Sequence, residues 1–313
     1  MLVSVIVPSY SMDNYYNLRG AIDSLLNQSY PDMEIIVVID TNKDLYSEIA
    51  KAYAKQAKMK VIFSEQSLGA AAARNVGIKN ASGDILAFID DDAIADERWV
   101  EELVDTYKEP GVKAVGGKIL PLWLPGKPEY FPEELYWLVG VTHNSFSQDR
   151  IAEIRNAFGA NMSFRREVFD QVGLFNESFG FVRQRARYIQ AEEVELSLRM
   201  TGKFGVGVIY NPAAIVHHKI PVIKTRLKVL LNRSFYQGYS KALLRIKMKL
   251  SRSGTRTEET YLKELLLKYI PRRIIKVFSG PGRMTEIRQI SILLCCIAAV
   301  GLGFIHGYIR RTK

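Results

Sequence analysis

The chain has 313 residues, of which 48% are hydrophobic and 24% are charged, and its formal net charge is +10. This length suits one large α/β domain or two smaller ones, and the apolar fraction excludes a wholly disordered chain. The two cysteines, Cys295 and Cys296, are adjacent, which excludes a disulfide scaffold and a cysteine-rich zinc module.

The charge is unevenly distributed along the chain. Residues 219–313 contain 21 Lys and Arg against four Asp and Glu, a net charge of +17. Residues 1–218 contain 22 basic and 29 acidic groups, a net charge of −7. An acidic body followed by a basic C-terminal third indicates two functions, and the basic third suits an anionic membrane or a nucleic acid.

Predicted strands and helices alternate over the first 110 residues. Each predicted strand is a short run rich in β-branched residues, as expected for strands buried on both faces of a parallel sheet. The predicted strands are residues 2–7, 34–40, 61–63 and 85–89, and the predicted helices between them are residues 18–26, 45–58 and 70–80. The alternation predicts a doubly wound α/β layer, in which ligands bind at the carboxyl ends of the strands.

The pattern is less regular beyond residue 112. Strands are predicted at 112–119, 206–210 and 215–216, a loop at 121–132 and a short helix at 193–201. Residues 222–250 and 261–278 place leucine and isoleucine opposite lysine and arginine, which predicts basic amphipathic helices. From Ile290 to Ile309 no Asp, Glu, Lys or Arg occurs, and a helix of about 20 such residues is long enough to cross a bilayer.

Three consecutive carboxylates, Asp90, Asp91 and Asp92, follow the predicted strand 85–89. Such close negative charges repel one another, so a positive group should compensate them, and their oxygen atoms suit Mg²⁺ or Mn²⁺. A divalent ion held there can stabilise a diphosphate as it leaves. A solvated acidic loop is the alternative, and the position after a buried strand favours the metal site.

Small residues dominate the segment from Gly69 to Gly77, which also contains Arg74. Small side chains let a backbone approach a ligand closely, and the start of a helix attracts phosphate. Arg74 can contact a phosphate or a base. The alternative is an alanine-rich helix packed on the sheet, with Arg74 in a structural ion pair.

Two further pairs of residues can carry chemistry. Glu192 and Glu193 begin a predicted helix, where carboxylates stabilise the helix dipole or supply a general base for an acceptor hydroxyl. His217 and His218 follow a predicted strand, where histidine either ligates a metal, binds phosphate or has a structural role.

These features occur in an order that resembles the family 2 glycosyltransferases, which are inverting enzymes of the GT-A fold. The resemblance covers residues 1–220. Its motifs are Pro8-Ser9-Tyr10, residues 24–31, Glu34 to Asp40, Ala72 to Gly77, Ser82-Gly83-Asp84, Asp90 to Asp92, Asn161 to Arg166 and Glu192-Glu193. Residues 10–13 and 137–142 resemble more narrowly archaeal transferases that extend dolichyl-phosphate-linked glycans, some of them hexuronosyltransferases of S-layer N-glycosylation.

The resemblance implies a fold and a role for each matching residue. The implied fold is a Rossmann-like mixed sheet flanked by helices, followed by basic amphipathic helices and one membrane helix. The implied nucleotide-sugar site is Pro8, Ser9, Tyr10, Asp40, Arg74, Asp90 and Asp91. The implied ligands of Mn²⁺ or Mg²⁺ are Asp92, Asp90 and His217. Glu193 takes the place of the catalytic aspartate, with Glu192 before it.

The resemblance also implies an activity, the transfer of one sugar with inversion from a nucleotide-sugar donor to a lipid-linked glycan acceptor. The donor is expected to be UDP-linked, with UDP-glucuronate as one candidate. This chain departs from the family in two ways, because one acid is missing before Asp40 and the base is glutamate. It also lacks the Gln-x-x-Arg-Trp element of processive synthases, which favours addition of a single sugar.

The basic third is predicted to bind an anionic membrane rather than nucleic acid, because its aromatic residues are few and it carries no RNA-binding signature. The predicted domains are a catalytic domain at 1–220, membrane-associating helices at 221–288, a transmembrane helix at 289–310 and a basic tail at 311–313.

A buried core helix is the alternative for the apolar run from Ile290 to Ile309. The charges flanking that run favour a catalytic domain on the cytoplasmic side of the cell membrane. The Gly303-x-x-x-Gly307 motif suggests a homodimer through this helix.

Two other functions compete with this prediction. A dolichyl-phosphate monosaccharide synthase has the same fold but uses a bare lipid phosphate as acceptor. A catalytically inactive nucleotide-binding scaffold at the membrane is consistent with the missing acid before Asp40. A dinucleotide oxidoreductase is disfavoured because no Gly-x-Gly-x-x-Gly motif follows the first predicted strand.

Overall fold

A computed structural model describes residues 1–65, 69–143, 149–179, 189, 191–248, 256–280 and 282–310. The predicted basic tail 311–313 and the end of the predicted helix 222–250 lie outside these residues. The chain divides into two units. The first unit comprises Met1–Leu122, Asp149–Arg187 and Glu192–Lys219, and the second comprises Trp123–Gln148, Tyr188–Ala191 and Ile220–Lys313. Residues 123–148, which the sequence suggests are part of the catalytic domain, thus group with the C-terminal part.

A mixed sheet forms the centre of the first unit. Its parallel strands are β1 (Val3–Ser9), β2 (Met33–Asp40), β3 (Met59–Ser64) and β4 (Ile85–Phe88). The remaining strands are β5 (Ala93–Ala95), β6 (Ala114–Leu124), β7 (Ala152–Ile154), β8 (Met162–Arg165) and β9 (Val208–Pro221). The strand order is β3-β2-β1-β4-β8-β6-β9-β5, and β7 pairs with β9. The predicted mixed α/β sheet is confirmed.

Helices cover both faces of this sheet, which explains the continuous apolar runs in its strands. One core contains Val5 and Val37, and the other contains Ile6 and Ile36, because successive side chains of a strand point to opposite faces. The helices of the first unit are α1 (Tyr15–Leu26), α2 (Lys43–Ala52), α3 (Gly69–Asn80), α4 (Trp99–Tyr107), α5 (Arg166–Val172) and α6 (Glu192–Phe204).

Strand β9 is longer than the sequence suggests. The two predicted strands at 206–210 and 215–216 form one strand that continues through Pro212. Pro212 cannot donate a backbone hydrogen bond. The neighbouring Asn211 stabilises this irregular position, since its side chain accepts from the Ala213 N–H at 2.8 Å and donates to the Thr106 hydroxyl at 2.9 Å. The continuous strand carries the chain to His217 and His218.

The second unit is helical. Its helices are α7 (Leu227–Lys247), α8 (Arg256–Glu264), α9 (Ile270–Ser279) and α10 (Arg283–Ile309). A π-helical turn at Leu265–Tyr269 separates α8 from α9, where one helix was predicted over 261–278. The cause is Pro271, whose ring clashes with the carbonyl four residues earlier in a regular helix. Helix α10 is long and apolar enough to cross a membrane by length and composition.

Glycines bring α7 and α10 into close contact. A Cβ atom on Gly303 would overlap the Phe235 carbonyl oxygen, and one on Gly238 would overlap the Val300 carbonyl oxygen. A Cβ atom on Gly307 would lie 2.6 Å from the Cβ of Ala242. Gly303 and Gly307, predicted to pack a homodimer, therefore pack against α7 of the same chain, and the motif gives no support to a dimer.

Replacement of Gly303 by alanine should destabilise the second unit. The added methyl group forces α7 and α10 apart, and overpacking of this kind costs about 1–3 kcal/mol. Gly301 is the matched control, because it lies in the same helix with no atom within 4 Å of an added Cβ. Thermal unfolding of the full chain in detergent should show a lower Tm for Gly303→Ala and an unchanged or higher Tm for Gly301→Ala. Equal Tm values would contradict this packing.

Candidate active site

The carboxyl ends of β1, β2 and β4 bring the predicted acidic residues to one edge of the sheet. Asp91 is buried there, and its carboxylate accepts hydrogen bonds from the Ser9 hydroxyl at 2.5 Å and the Asn14 amide at 3.0 Å. Burial and the neighbouring charge of Asp92 raise the pKa of Asp91 to about 7. Asp91 thus ties the end of β1 to the turn that presents Asp90 and Asp92.

Asp40 lies at the end of β2, and its buried carboxylate accepts the Gly69 N–H at 3.1 Å. Gly69 begins α3, so Asp40 stabilises the start of that helix. Tyr10, which follows β1, has 45% of its surface exposed, while Pro8 lies within the strand opposite Val38. The predicted nucleotide-site residues Pro8, Ser9, Tyr10 and Asp40 therefore all lie at or next to this edge.

Arg74 is buried in α3 and bridges two carboxylates. Its Nη1 donates to Glu192 Oε1 at 3.0 Å, and its Nη2 donates to Asp90 Oδ1 at 3.1 Å. Within the part of the chain that the structure describes, its Nε has no hydrogen-bond partner, and its guanidinium lies 5.9 Å from the centre of the Phe175 ring. Arg74 therefore joins the turn after β4 to the start of α6.

Glu192 and Glu193 begin α6 and differ in their surroundings. Glu192 is buried against Arg74; burial and the charge of Glu193 raise its pKa, and the Arg74 guanidinium opposes that rise. Glu193 is half-buried and accepts a hydrogen bond from the Gly159 backbone, and burial raises its pKa as well. A raised pKa makes a carboxylate a stronger base.

Gly159 lies where the Arg74 and Glu193 side chains approach. A Cβ atom at this position would be 2.6 Å from Arg74 Nη2 and 2.7 Å from Glu193 Oε1. Only glycine leaves both side chains in place. Nothing in the local sequence around Gly159 predicts this role, because the contact depends on α3 and α6.

The side chains of His217 and His218 contact different aspartates. Strand β9 pairs antiparallel with β5, with His218 opposite Ala93 and His217 opposite Ile94. His218 Nε2 lies 3.0 Å from Asp92 Oδ1. His217 Nε2 instead lies 2.9 Å from Asp96 Oδ1. The structure therefore does not bring His217, the predicted metal ligand, to the acidic turn, because adjacent residues of a strand face opposite sides.

Lys219 is a further residue at this site. Its backbone N–H donates to the Asp92 carbonyl at 2.9 Å, and its ammonium donates to the Asn17 side chain at 3.3 Å. Burial lowers its pKa, while the negative charges of Asp92 and Asp91 act in the opposite direction. Lys219 is not among the site residues predicted from the sequence, although its position directly after the two histidines is a signal for it.

Comparison with known proteins identifies the family. The glycosyl transferase family 2 profile matches residues 4–173. The chain is 35% identical over 308 residues to a glucosyl-dolichyl phosphate glucuronosyltransferase of Haloferax volcanii, covering 98% of this chain and 96% of that protein. This chain belongs to glycosyl transferase family 2. The predicted family and the prediction of a glycosyltransferase are confirmed.

Other similarities agree with this family 2 assignment. Glycosyltransferase AglE of Haloferax volcanii is 34% identical over 180 residues, which cover 55% of each protein. The fold of a mannosyltransferase from Pyrobaculum calidifontis, solved with GDP-Man and Mn²⁺, matches with a TM-score of 0.63 at 15% identity, covering 98% of this chain and 86% of that one. These similarities confirm the predicted GT-A fold.

The site has donor atoms that suit a divalent ion, but the part of it that the structure describes holds no complete set of protein ligands. Among the described residues, no group of three or more His, Cys, Asp or Glu side chains is arranged to hold a metal. Asp92 and His218 lie together, and the Asp90 side chain is 34% exposed. Mg²⁺ is commonly held by one or two carboxylates together with substrate phosphates. The residues present therefore fit an ion whose coordination the substrate completes.

The crowding around Gly159 can be tested by substitution. We expect Gly159→Ala to lower kcat on the order of 10–100-fold, because the methyl group displaces Glu193 and Arg74. Gly202→Ala is the matched control, since Gly202 lies in α6 with no atom within 4 Å of an added Cβ. Kinetics and Tm should be measured together. A Gly159→Ala protein with unchanged kcat, or one that has lost its fold, would contradict a role specific to the site.

Proposed function

We propose that this family 2 enzyme transfers one sugar, with inversion, from a nucleotide-sugar donor to a lipid-linked glycan in protein N-glycosylation or surface glycan assembly. The observation that carries the proposal is the arrangement around Arg74, where the Glu192-Glu193 pair lies beside the Asp90–Asp92 turn. On one side of Arg74, the glutamate pair can supply a base for the acceptor hydroxyl. On the other side, the aspartates can hold a metal ion for the diphosphate of the nucleotide-sugar donor. The similarity over nearly the whole chain to a transferase named for glucosyl-dolichyl phosphate supports the choice of acceptor.

The donor is proposed to bind at the edge formed by β1, β2 and the acidic turn. Pro8, Ser9, Tyr10 and Asp40 lie there, as a nucleotide site requires. Asp92 and Asp90 would hold Mn²⁺ or Mg²⁺, with His218 in the place predicted for His217. The bound ion would supply positive charge for the leaving diphosphate. A UDP-linked sugar is proposed, with UDP-glucuronate as the first candidate.

Arg74 is proposed to act as a positioning residue rather than as a direct ligand of the nucleotide. Its side chain is 4% exposed, and both of its terminal nitrogens are engaged by carboxylates. It holds Asp90 in place on the donor side and Glu192 on the acceptor side. Its positive charge also opposes the rise that burial causes in the pKa of Glu192.

Glu193 is proposed as the general base. It is more accessible than Glu192, whose carboxylate is buried on Arg74. The Glu193 carboxylate takes the proton from the acceptor hydroxyl as that oxygen attacks the anomeric carbon. The bond from this carbon to the diphosphate oxygen breaks in the same step, so the configuration inverts without a covalent sugar–enzyme intermediate.

The base can be tested through the pH dependence of the rate. Because the base must be ionised, kcat/KM should rise with pH through the pKa of Glu193, which burial raises above that of an ordinary glutamate. Glu192→Gln should move this rise to lower pH. The substitution removes a neighbouring carboxylate, so that the positive charge of Arg74 lowers the pKa of Glu193 more strongly. Glu193→Gln should lower kcat about 10²–10⁴-fold. Wild-type turnover by Glu193→Gln would exclude Glu193 as the base.

The substrates and the metal can be tested in one assay. A panel of nucleotide sugars is incubated with a dolichyl-phosphate-linked sugar or with bare dolichyl phosphate, and products are read by mass spectrometry. We expect transfer to the lipid-linked sugar only, loss of transfer with EDTA, and recovery with Mn²⁺ or Mg²⁺. Transfer to the bare phosphate would favour a monosaccharide synthase, and activity that is insensitive to EDTA would exclude the metal.

A membrane is the proposed partner of the second unit. Helix α9 and the turn before it expose large apolar side chains beside lysine and arginine, as expected for a helix lying on anionic lipid. Leu267 is 78% exposed and Phe278 is 77% exposed. Lys268, Arg272 and Lys276 lie between them in sequence. The enzyme is proposed to act at the cytoplasmic side of the cell membrane, where nucleotide sugars are available.

A further inference from the structure

Helix α10 has one face covered by its own chain. Leu293 and Cys296 are buried in the core of the second unit, while Gly303 and Gly307 are buried against α7. These positions recur at helical spacing and therefore form one face. From Leu293 to Gly307 the helix rises about 21 Å at 1.5 Å per residue. The second unit thus covers one face of α10 along this length, and 22% of the apolar window is buried.

This packing conflicts with a helix that crosses the bilayer. Spanning needs about 20 residues in the hydrocarbon core, which is nearly all of 290–309. The segment of α7 in contact with α10, Phe235 to Ala242, would have to enter the core as well; it contains Lys241 and follows directly after Arg233 and Ser234. Arg233 donates to the Leu138 carbonyl at 2.7 Å, and Lys241 lies 3.4 Å from Glu258. Charged groups at that depth are strongly unfavourable.

The backbone of the second unit gives a further reason. The 3-10 helix at Glu133–Val139 contributes Leu135 and Leu138 to the same core as Leu293 and Cys296. It would therefore follow α10 to membrane depth. Irregular backbone does not occur in contact with lipid in the hydrocarbon core, because its polar groups lack partners there. A spanning α10 would require the core of the second unit to come apart.

The opposite face of α10 is apolar and exposed. Its large side chains are Leu294, Leu302, Ile305 and Ile309, which are 50%, 63%, 57% and 62% exposed. With Ala298, also exposed, they follow one another at intervals of three or four residues and form a continuous stripe. We call these five residues the α10 stripe. A contiguous apolar stripe of this length marks a contact surface.

Charge indicates what covers the α10 stripe. Arg283 and Arg288 lie near one end of α10, and Arg310 follows the other. Residues 219–313 together carry a net charge of +17. A second copy docked on this stripe would bring two such charges together, whereas anionic headgroups beside acyl chains satisfy both the arginines and the apolar side chains.

We propose that α10 lies in the surface of an anionic membrane rather than across it. The glycine face stays on α7, the α10 stripe inserts among the acyl chains, and Arg283, Arg288 and Arg310 contact headgroups. Both ends of the helix then lie on the same side of the membrane as the active site. This inference rests on the proposed function only for the presence of a membrane partner, and its tests do not require sugar transfer.

The position of the two helix ends can be measured by labelling. In the full chain with Cys295→Ala and Cys296→Ala, single cysteines are introduced as Arg283→Cys and Arg310→Cys. Sealed inverted vesicles are treated with a membrane-impermeant maleimide before and after detergent. We expect both ends to react to the same extent without detergent. Protection of one end until detergent is added would show that α10 spans the membrane and would overturn the proposal.

The packing on α7 can be measured in the same vesicles. In the cysteine-free background, Ala242→Cys with Gly307→Cys should form a disulfide on mild oxidation, because a Cβ at Gly307 would lie 2.6 Å from the Ala242 Cβ and about 1 Å of helix separation gives the spacing of a disulfide. Ala242→Cys with Gly301→Cys is the matched control, since Gly301 lies on the open side of α10, and it should stay reduced. If Gly307→Cys prevents folding, the labelling experiment still decides the question. Failure of a folded, membrane-bound Ala242/Gly307 pair to cross-link would overturn the proposal.

The role of the α10 stripe is tested by vesicle sedimentation. Leu302→Gln with Ile305→Gln should weaken binding to phosphatidylglycerol vesicles about tenfold or more, since two large apolar side chains no longer enter the lipid. Ile151→Gln is the matched control, because Ile151 is 65% exposed in the first unit. Unchanged vesicle binding together with a change from dimer to monomer in sedimentation would identify a second copy as the occupant and overturn the proposal.

Discussion

The buried ion pairs of Arg74 are the constraint on which the active site depends. A guanidinium with 4% of its side chain exposed is stable only if carboxylates replace its lost hydration. Glu192 and Asp90 do so from opposite sides, and they belong to α6 and to the turn after β4. The same contacts place Glu193 and the acidic turn at a defined separation. Folding of the first unit and assembly of the site are therefore the same event.

The sheet supplies the other half of this arrangement. Parallel pairing of β1 with β2 and β4 aligns their carboxyl ends, so that Ser9, Asp40 and the turn from Asp90 to Asp92 meet at one edge. Repulsion within the acidic turn is reduced by the hydrogen bonds that hold Asp91 and by the histidine beside Asp92. What remains accessible is a pair of carboxylates suited to a cation and a diphosphate, next to Glu193, the proposed base, whose pKa is raised by burial.

The second unit depends on close helix packing together with the ion pairs that Arg273 makes with Glu134 and Glu286 at 2.7 Å. Gly238, Gly303 and Gly307 let α7 and α10 approach until backbone meets backbone, which large side chains would prevent. Arg273 is largely buried in these ion pairs, whereas Arg283 and Arg310 lie at the ends of α10. From the sequence alone, α10 is only a candidate transmembrane helix. In the structure one of its faces packs on α7 and the opposite face is exposed, which favours a helix that lies in the membrane surface over one that crosses the membrane.

Local sequence was sufficient to establish the alternation of strands and helices, the acids at the strand ends and the family, because these features depend on hydrophobic periodicity and on motif order. It could not establish which histidine meets Asp92, since this depends on the register of β9 against β5. Nor could it show that Arg74 binds Glu192, because these residues are 118 positions apart. The sequence also could not show which helix packs against Gly303 and Gly307, because a small-residue motif suits another helix of the same chain as well as a second molecule. Such contacts form between distant segments, and folding alone brings those segments together.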